Sequence, residues 1–108
     1  MNINIFTKNI TIGDDLRMFT EQKIGSLGKY LSGSIVDARV ELGKPSKHHR
    51  SGPVFYAEVN LKIGGKLLRA EATHLDLRTA IIKVKDELEV QIRKLKGKVA
   101  DSSRRVKK

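Results

Sequence analysis

Hydrophobic and polar residues alternate along four segments of the chain, and this alternation is typical of β-strands with one buried face. The predicted strands are MNINIFTKN (1–9), IVDARVEL (35–42), VFYAEVNLKI (54–63) and KLLRAEAT (66–73). Gly64 and Gly65 separate the last two strands and supply the positive φ angle of a tight hairpin turn. The segment 43–53 is rich in Gly, Pro, Ser and charge, and predicts a loop.

Between the first two strands, apolar residues recur at three- and four-residue spacing, which predicts an amphipathic helix. Thr11 and Asp14 form its predicted capping pair, and the helix is expected to end near Tyr30. Gly25 and Gly28 weaken it by up to about 1 kcal/mol each relative to Ala, so it depends on packing against the rest of the protein.

A second helix follows the last strand and has the strongest periodicity in the chain. Thr73 or Asp76 is its predicted N-cap. Its apolar positions are Leu77, Ala80, Ile81, Val84, Leu88, Ile92 and Leu95. The periodicity stops at Gly97, so the sequence predicts a basic, disordered tail over residues 99–108.

The element order β-α-β-β-β-α predicts one α+β domain over residues 1–98. We expect two layers: a four-stranded, mostly antiparallel sheet, with both helices on one of its faces. The other sheet face then carries both signs of charge and is predicted to be the solvated side. Its residues are Asp37, Arg39, Glu41, Tyr56, Glu58, Lys62, Arg69 and Glu71.

Positive charge is concentrated at the C-terminal end. Of 22 basic and 12 acidic residues, eight and one lie in 93–108, so this segment holds +7 of the net charge of +10. The asymmetry favours a polyanionic partner, because neutralising phosphates releases condensed counterions. A tail that only keeps the protein soluble is one alternative interpretation. An acidic membrane surface is another, disfavoured by the lack of Trp and bulky apolar residues in the tail.

The basic residues of the second helix flank its apolar arc in helical projection. They are, on one flank, Arg78, Lys85, Lys96 and Arg93, and, on the other, Lys83 and Lys94. Lys23 and Lys29 of the first helix join them if the two helices lie side by side. An ordinary solvated helix is the alternative interpretation, since Glu89 and Arg93 have the i,i+4 spacing of a surface ion pair.

Residues with catalytic or metal-binding potential are few. His48 and His49 lie in a basic loop with no third ligand at a suitable spacing, and His74 lies at a strand-to-helix turn where a capping or packing role is expected. The sequence contains no Cys and no phosphate-loop, dinucleotide-binding or H-E-x-x-H motif. We therefore expect no catalytic residues, no metal and no cofactor, and hence no enzyme.

Three features bear on location. No apolar run approaches the roughly 20 residues of a membrane span. The N-terminal segment lacks the uninterrupted apolar region of a signal peptide. The absence of Cys fits a reducing compartment. We expect a cytoplasmic protein with neither membrane nor DNA as its partner.

Three passages carry a resemblance to a known family. NINIFTKNITIGDDLRMFTEQKIGSLGKY (2–30), IGGKLLRAEATHLDLRTAI (63–81) and ELEVQIRKLKGK (87–98) follow one another in the predicted β-α-β-β-β-α order. In this arrangement the chain resembles the ribosome hibernation promoting factor and ribosome-associated inhibitor family, over residues 1–98.

The resemblance implies a fold similar to the double-stranded-RNA-binding domain. It also implies docking on the small ribosomal subunit, where messenger RNA and the A- and P-site transfer RNAs lie, with translation silenced under stress or in stationary phase. The residues expected by likeness to contact ribosomal RNA phosphates are Lys23, Lys29, Arg93, Lys94 and Lys96, with Arg69, Arg78, Lys83 and Lys85 as neighbours. The 108 residues lack the C-terminal dimerisation domain of the family's long subgroup, so pairing of ribosomes is expected to need a separate ribosome modulation factor.

The chain departs from the family pattern on the second helix. Ile82 and Val90 are apolar where relatives usually carry charge, and both are predicted to point away from the sheet. Either the RNA-facing surface has changed, or the two residues serve a protein contact such as self-association. A free RNA-binding protein and a sigma-factor-modulating protein therefore remain alternative functions.

Overall fold

The computed structural model describes residues 1–31, 35–45 and 54–106, with side chains described as far as Lys96. Within these residues, four strands and two α-helices follow one another in the predicted order, and a 3₁₀ helix that was not predicted follows the first α-helix. They are β1 (Asn2–Lys8), α1 (Asp14–Gly25), the 3₁₀ helix (Ser26–Tyr30), β2 (Val36–Gly43), β3 (Phe55–Ile63), β4 (Lys66–His74) and α2 (Leu77–Val106). The predicted α+β class with a four-stranded sheet is confirmed.

The strands lie in the sheet in the order β1-β2-β3-β4. β1 pairs with β2 in parallel, with Ile3 opposite Ala38, and the other two pairs are antiparallel. A parallel pair needs a long crossover, which here consists of α1 and the 3₁₀ helix. Gly64, at a φ of 57°, makes the hairpin turn between β3 and β4.

The core lies between the sheet and the helices, because every second residue of β2 to β4 faces inwards. The predicted inward positions are buried or half-buried, including Val40, Val59 and Ala70 at the centre of the sheet. Residues of both helical segments cover them, and these are fully buried: Ile24, Leu27, Ala80, Ile81, Val84, Leu88 and Ile92. Both helices therefore cover one sheet face, as predicted.

The first helix begins and ends differently from the prediction. Gly13, in extended conformation, is the N-cap of α1, and the cap has no side-chain hydrogen bond, so the predicted capping pair of Thr11 and Asp14 is wrong. The α-helix stops at Gly25, and the chain continues to Tyr30 as a tighter 3₁₀ helix. Two glycines within four residues lower helix propensity enough for packing to set the local geometry.

The start of α2 confirms Asp76 as its cap. The Asp76 carboxylate accepts hydrogen bonds from the Arg78 backbone N–H at 3.3 Å and from the Thr79 hydroxyl at 2.8 Å. The backbone N–H of Asp76 in turn donates to Nδ1 of His74 at 2.9 Å. His74 thus shapes the turn that enters α2, the kind of role predicted for it.

The end of α2 corrects the prediction. The helix continues through Gly97 to Val106, so the predicted disordered segment from residue 99 is helical as far as the structure describes it. A single glycine costs about 1 kcal/mol and does not end a helix when no proline follows. Lys107 and Lys108 lie outside the described residues, as do His48 and His49.

None of the helices in the described part of the chain is both long and apolar enough to cross a membrane. The division into a ribosome-binding domain, 1–98, and a tail, 99–108, stays a prediction. So does the likeness of the fold to double-stranded-RNA-binding domains.

Candidate nucleic-acid interface

The outer surface of the helical layer has a groove where α1 and the 3₁₀ helix lie against α2. We call it the helix groove and define it by eight residues. They are Phe19, Lys23, Lys29, Tyr30, Arg78, Lys85, Glu89 and Arg93. It contains two half-buried aromatic rings, Phe19 from α1 and Tyr30 from the 3₁₀ helix, with cations beside each.

At one end of the groove, the Phe19 ring has two cations beside it. The Lys23 ammonium lies 5.6 Å from the ring centroid and the Arg78 guanidinium carbon lies 5.1 Å from it. Each contact of this kind is worth about 0.5–1 kcal/mol at an exposed site. Because Lys23 belongs to α1 and Arg78 to α2, the ring joins the cations of two helices.

At the other end, Tyr30 repeats the arrangement. The Lys29 ammonium lies 5.2 Å from its ring centroid and the Arg93 guanidinium carbon lies 5.7 Å from it. The Tyr30 hydroxyl donates a hydrogen bond of 2.6 Å to Glu89, which also lies 3.6 Å from Nη2 of Arg93. Lys85, one turn before Glu89, pairs with Asp86 at 2.9 Å.

The electrostatics of this end favour the charged forms of Glu89 and Lys85. The hydrogen bond from Tyr30 lowers the pKa of Glu89, and the charges of Arg93, Lys85 and Lys29 lower it further. The hydrogen bond with Asp86 raises the pKa of Lys85. One fixed carboxylate therefore lies among three cations.

The arrangement suits the binding of phosphate groups. Arginine presents a planar fork of donors that matches phosphate oxygens, and lysine adds a mobile point charge. Side chains already held against aromatic rings lose less conformational entropy when a ligand arrives. The helix groove thus offers cations from three helical segments along one line.

The structure brings five of the nine predicted RNA-binding residues together in the groove, and these are Lys23, Lys29, Arg78, Lys85 and Arg93. By helical spacing, Lys96 extends the same flank of α2 one turn beyond Arg93. Lys83 and Lys94 are exposed on the other flank. That flank faces β4, because Gln91 beside it donates a 2.9 Å hydrogen bond to the Arg69 carbonyl.

Arg69 does not join the other cations. Its side chain lies on the outer sheet face, where it pairs with Glu58 at 2.9 Å and Glu71 at 3.4 Å. Although burial raises the pKa of Glu58, the hydrogen bond from Arg69 contributes to a net lowering. Arg69 therefore neutralises neighbouring carboxylates, and it lies outside the helix groove.

The outer sheet face is exposed and mixed in charge, as predicted. Glu41, Glu58 and Glu71 face one another across β2, β3 and β4, since each is the register partner of the next. The Tyr56 hydroxyl donates to Glu41 at 2.7 Å. Among the residues that the structure describes, no group of three or more acidic or histidine side chains is arranged to hold a metal ion.

The sequence predicts the ion pair of Glu89 with Arg93, but neither the roles of Phe19 and Tyr30 nor the hydrogen bond from Tyr30 to Glu89. Phe19 has the spacing of a core residue, and Tyr30 stands at a predicted helix end, so neither pattern indicates an exposed ring face. The spacing of Lys85, Glu89 and Arg93, four residues apart each time, places them on one stripe of α2. Only the contact of the 3₁₀ helix with α2 shows that Tyr30 completes this stripe.

The sheet, the helical layer and the groove define a small α+β protein with a cationic helical surface. A sequence model of the Sigma 54 modulation protein / S30EA ribosomal protein family matches residues 3–100. The chain belongs to this family.

Relatives named ribosome hibernation promotion factor agree with this assignment. The protein from Deinococcus radiodurans is 36% identical over 82% of the chain and 46% of its own length. The protein from Lactococcus lactis is 35% identical over 92% of the chain and 51% of its own length. The chain thus spans about half the length of these relatives.

Two solved structures share the fold. The N-terminal domain of Protein Y from Thermus thermophilus, a crystal structure, is 30% identical with a TM-score of 0.76, covering 88% of this chain and 99% of that one. A ribosomal subunit interface protein from Coxiella burnetii is 20% identical with a TM-score of 0.73, covering 90% and 99%. The second likeness concerns the fold alone.

Proposed function

We propose that the chain is a ribosome-binding translation inhibitor, a hibernation factor of the cytoplasm that acts under stress or in stationary phase. The observation that carries the proposal is the helix groove, in which Phe19 and Tyr30 each hold two cations from different helical segments. The names of the relatives support it, because two proteins at least 35% identical are called ribosome hibernation promotion factors.

The proposed partner is ribosomal RNA of the small subunit, in the region that messenger RNA and the A- and P-site transfer RNAs occupy. In this proposal inhibition needs no chemistry, because the protein occupies the site and excludes the translating ligands. The groove cations make the main phosphate contacts. Lys83, Lys94 and Lys96 add contacts at the edges, and Arg69 contributes least. Pairing of inactive ribosomes then depends on a separate ribosome modulation factor.

Competition on purified small subunits tests this proposal. The protein is expected to co-sediment with small subunits, to be displaced by transfer RNA and messenger RNA added together, and to inhibit translation in an extract at the concentrations at which it binds. In separate gradients of whole ribosomes, adding a modulation factor should then shift the ribosomes to dimers. Binding that transfer RNA leaves unchanged would contradict occupancy of the transfer-RNA region.

A protein-binding function is the second candidate, in line with the family's description as sigma 54 modulation proteins. The observation that favours it is the exposure of Ile82 and Val90, at 37% and 44%. The double change I82S/V90S should abolish capture of sigma 54 and any self-association seen by ultracentrifugation. Unchanged capture by this variant would exclude the face as a protein-binding site.

A further inference from the structure

Glu89 is an unexpected residue in a groove that otherwise suits phosphate. A carboxylate repels phosphate, yet this one lies beside Arg93 and Tyr30, with Lys29 and Lys85 close enough to lower its pKa. Its side chain is only 24% exposed, whereas the Arg93 side chain is 65% exposed. The negative charge is therefore held close to the protein, as is Lys85, while Lys29 and Arg93 are exposed to solvent.

An ordinary surface ion pair does not account for this geometry. The Arg93 to Glu89 distance of 3.6 Å is too long for a hydrogen bond, while the Tyr30 hydroxyl holds the other carboxylate oxygen at 2.6 Å. Glu87, two residues earlier on the opposite flank, has no comparable anchor: it is exposed and accepts one 3.3 Å bond from Gln91. Tyr30 thus fixes Glu89, whereas Arg93, which is 65% exposed, can contact a ligand from its place beside the Tyr30 ring.

A carboxylate fixed in this way repels the phosphates of a nucleic acid and can accept hydrogen bonds from its neutral donors. It opposes any phosphate placed directly against its own oxygens, because both groups are anionic and compete for the same cations. Its second oxygen, without a short bond from the protein, accepts a hydrogen bond from a neutral donor such as a ribose hydroxyl, which DNA lacks. A ligand that places a donor there gains a contact, whereas a flexible polyanion meets only repulsion.

We propose that Glu89 is a specificity-determining residue of the helix groove, one that weakens binding to arbitrary polyanions relative to a structured RNA offering a hydrogen-bond donor at the Tyr30 end. This inference rests on the proposed function, since it takes ribosomal RNA as the structured ligand. It assigns Tyr30 the role of a positioning residue, which acts through Glu89.

The test compares two ligands and two matched variants. The ligands are purified small ribosomal subunits and a single-stranded DNA of mixed sequence, which has no ribose hydroxyl. The variants are E89Q and E87Q, which remove one negative charge each from the same helix. We expect E89Q to raise the affinity for DNA about fivefold, the effect of one partly screened charge, and to lower or barely change the affinity for subunits. E87Q should change both affinities by the same small factor.

The ratio of the two affinities decides the inference. The inference is supported if the affinity for small subunits divided by the affinity for DNA is at least threefold lower in E89Q than in the unmodified protein, and is unchanged in E87Q. It is overturned if this ratio is the same in the two variants. The variant Y30F gives an independent reading, because it keeps the charge of Glu89 and loses its orientation. It should weaken subunit binding without strengthening DNA binding, while thermal unfolding shows that it folds.

Failure of the proposed function would look different. If no variant, nor the unmodified protein, binds small subunits, the ribosomal proposal is wrong, yet the DNA measurements still show whether Glu89 opposes phosphate at the Tyr30 end. An unchanged DNA affinity in E89Q would then reject the role of Glu89 by itself.

Discussion

Two aromatic residues determine where the groove cations lie. Phe19 and Tyr30 are half-buried, so each ring packs against the core and still lies beside two cations. Without the rings, four long side chains would sample many rotamers, and each would lose about 1.5–2 kcal/mol of side-chain entropy on binding a phosphate. The rings therefore restrict the rotamers of these side chains in the unbound protein, before any ligand arrives.

The change Phe19→Leu tests this restriction. Leucine keeps most of the apolar packing and removes the ring beneath Lys23 and Arg78, so we expect binding to small subunits to weaken about threefold to fivefold, with little loss of stability. Phe6→Leu is the matched control, because Arg39 lies 4.3 Å from the Phe6 ring centroid on the outer sheet face. Equal weakening by both changes would argue against the groove.

Tyr56 makes the stability of the protein depend on pH in the alkaline range. Burial, followed by the hydrogen bond to Glu41, raises its pKa from 10.0 to about 12. Between these values the unfolded chain loses the phenol proton and the folded protein keeps it, so its contribution to stability is complete below pH 10 and declines as the pH rises towards 12. We expect a loss of about 1 kcal/mol, less than the full shift implies because the ring is partly exposed.

Phenolate absorbance measures the pKa of Tyr56, and chemical denaturation between pH 9 and about 12.5 measures the free energy of unfolding. The variant Y56F removes the group, so the difference in unfolding free energy between it and the unmodified protein should shrink across this range. A constant difference would show that Tyr56 titrates alike in the folded and unfolded states.

Among the elements, the end of β2 depends on a glycine. A Cβ on Gly43 would collide with the Lys8 carbonyl oxygen and lie 3.0 Å from the Tyr56 hydroxyl, because β1 and β2 approach closely where their pairing ends. We expect Gly43→Ala to destabilise the protein by about 1–3 kcal/mol. In Gly65→Ala the new Cβ meets nothing within 4 Å, so that variant should keep its stability. Similar denaturation midpoints for both would contradict the close approach.

Local patterns predicted most elements because a sheet or helix that is buried on one face must repeat its apolar residues with a fixed period. This period predicts the inward positions of β2 to β4 and the buried stripe of α2 directly. The change from α-helix to 3₁₀ helix at Gly25 did not, since it depends on how Ile24 and Leu27 pack beneath α2. The end of α2 was missed because a loss of apolar periodicity marks the end of burial and not the end of a helix.

The candidate site was predicted only in part, for the same reason. Charge and helical spacing identify the groove cations of α2. Lys23 and Lys29 join them only on the further assumption that the two helices lie side by side, which the structure confirms. Arg69 was grouped with them although alternation along β4 had already placed it on the outer face. The local i,i+4 spacing does predict the ion pair of Glu89 with Arg93. The positions of Phe19 and Tyr30 beside the α2 cations, and the hydrogen bond from Tyr30 to Glu89, depend on contacts between distant segments, which no local pattern contains.

For the whole molecule, the two sides differ in charge arrangement. The helical side carries cations in a groove, and the outer sheet face pairs Arg69 with carboxylates and places three glutamates in one row. A net charge of +10 attracts any polyanion, and this attraction weakens with salt. What distinguishes the proposed function from general attraction is therefore the position of the charges and not their number.

The direct test is the salt-dependent affinity for purified small ribosomal subunits of two double variants that lose the same charge. K29Q/R93Q alters the groove, and R39Q/K62Q alters the outer sheet face. The account predicts that the groove variant binds about tenfold more weakly, with a salt slope smaller by about 1 for each cation removed, while the sheet variant stays near the unmodified protein. Equal affinities and equal slopes for the two variants would contradict it.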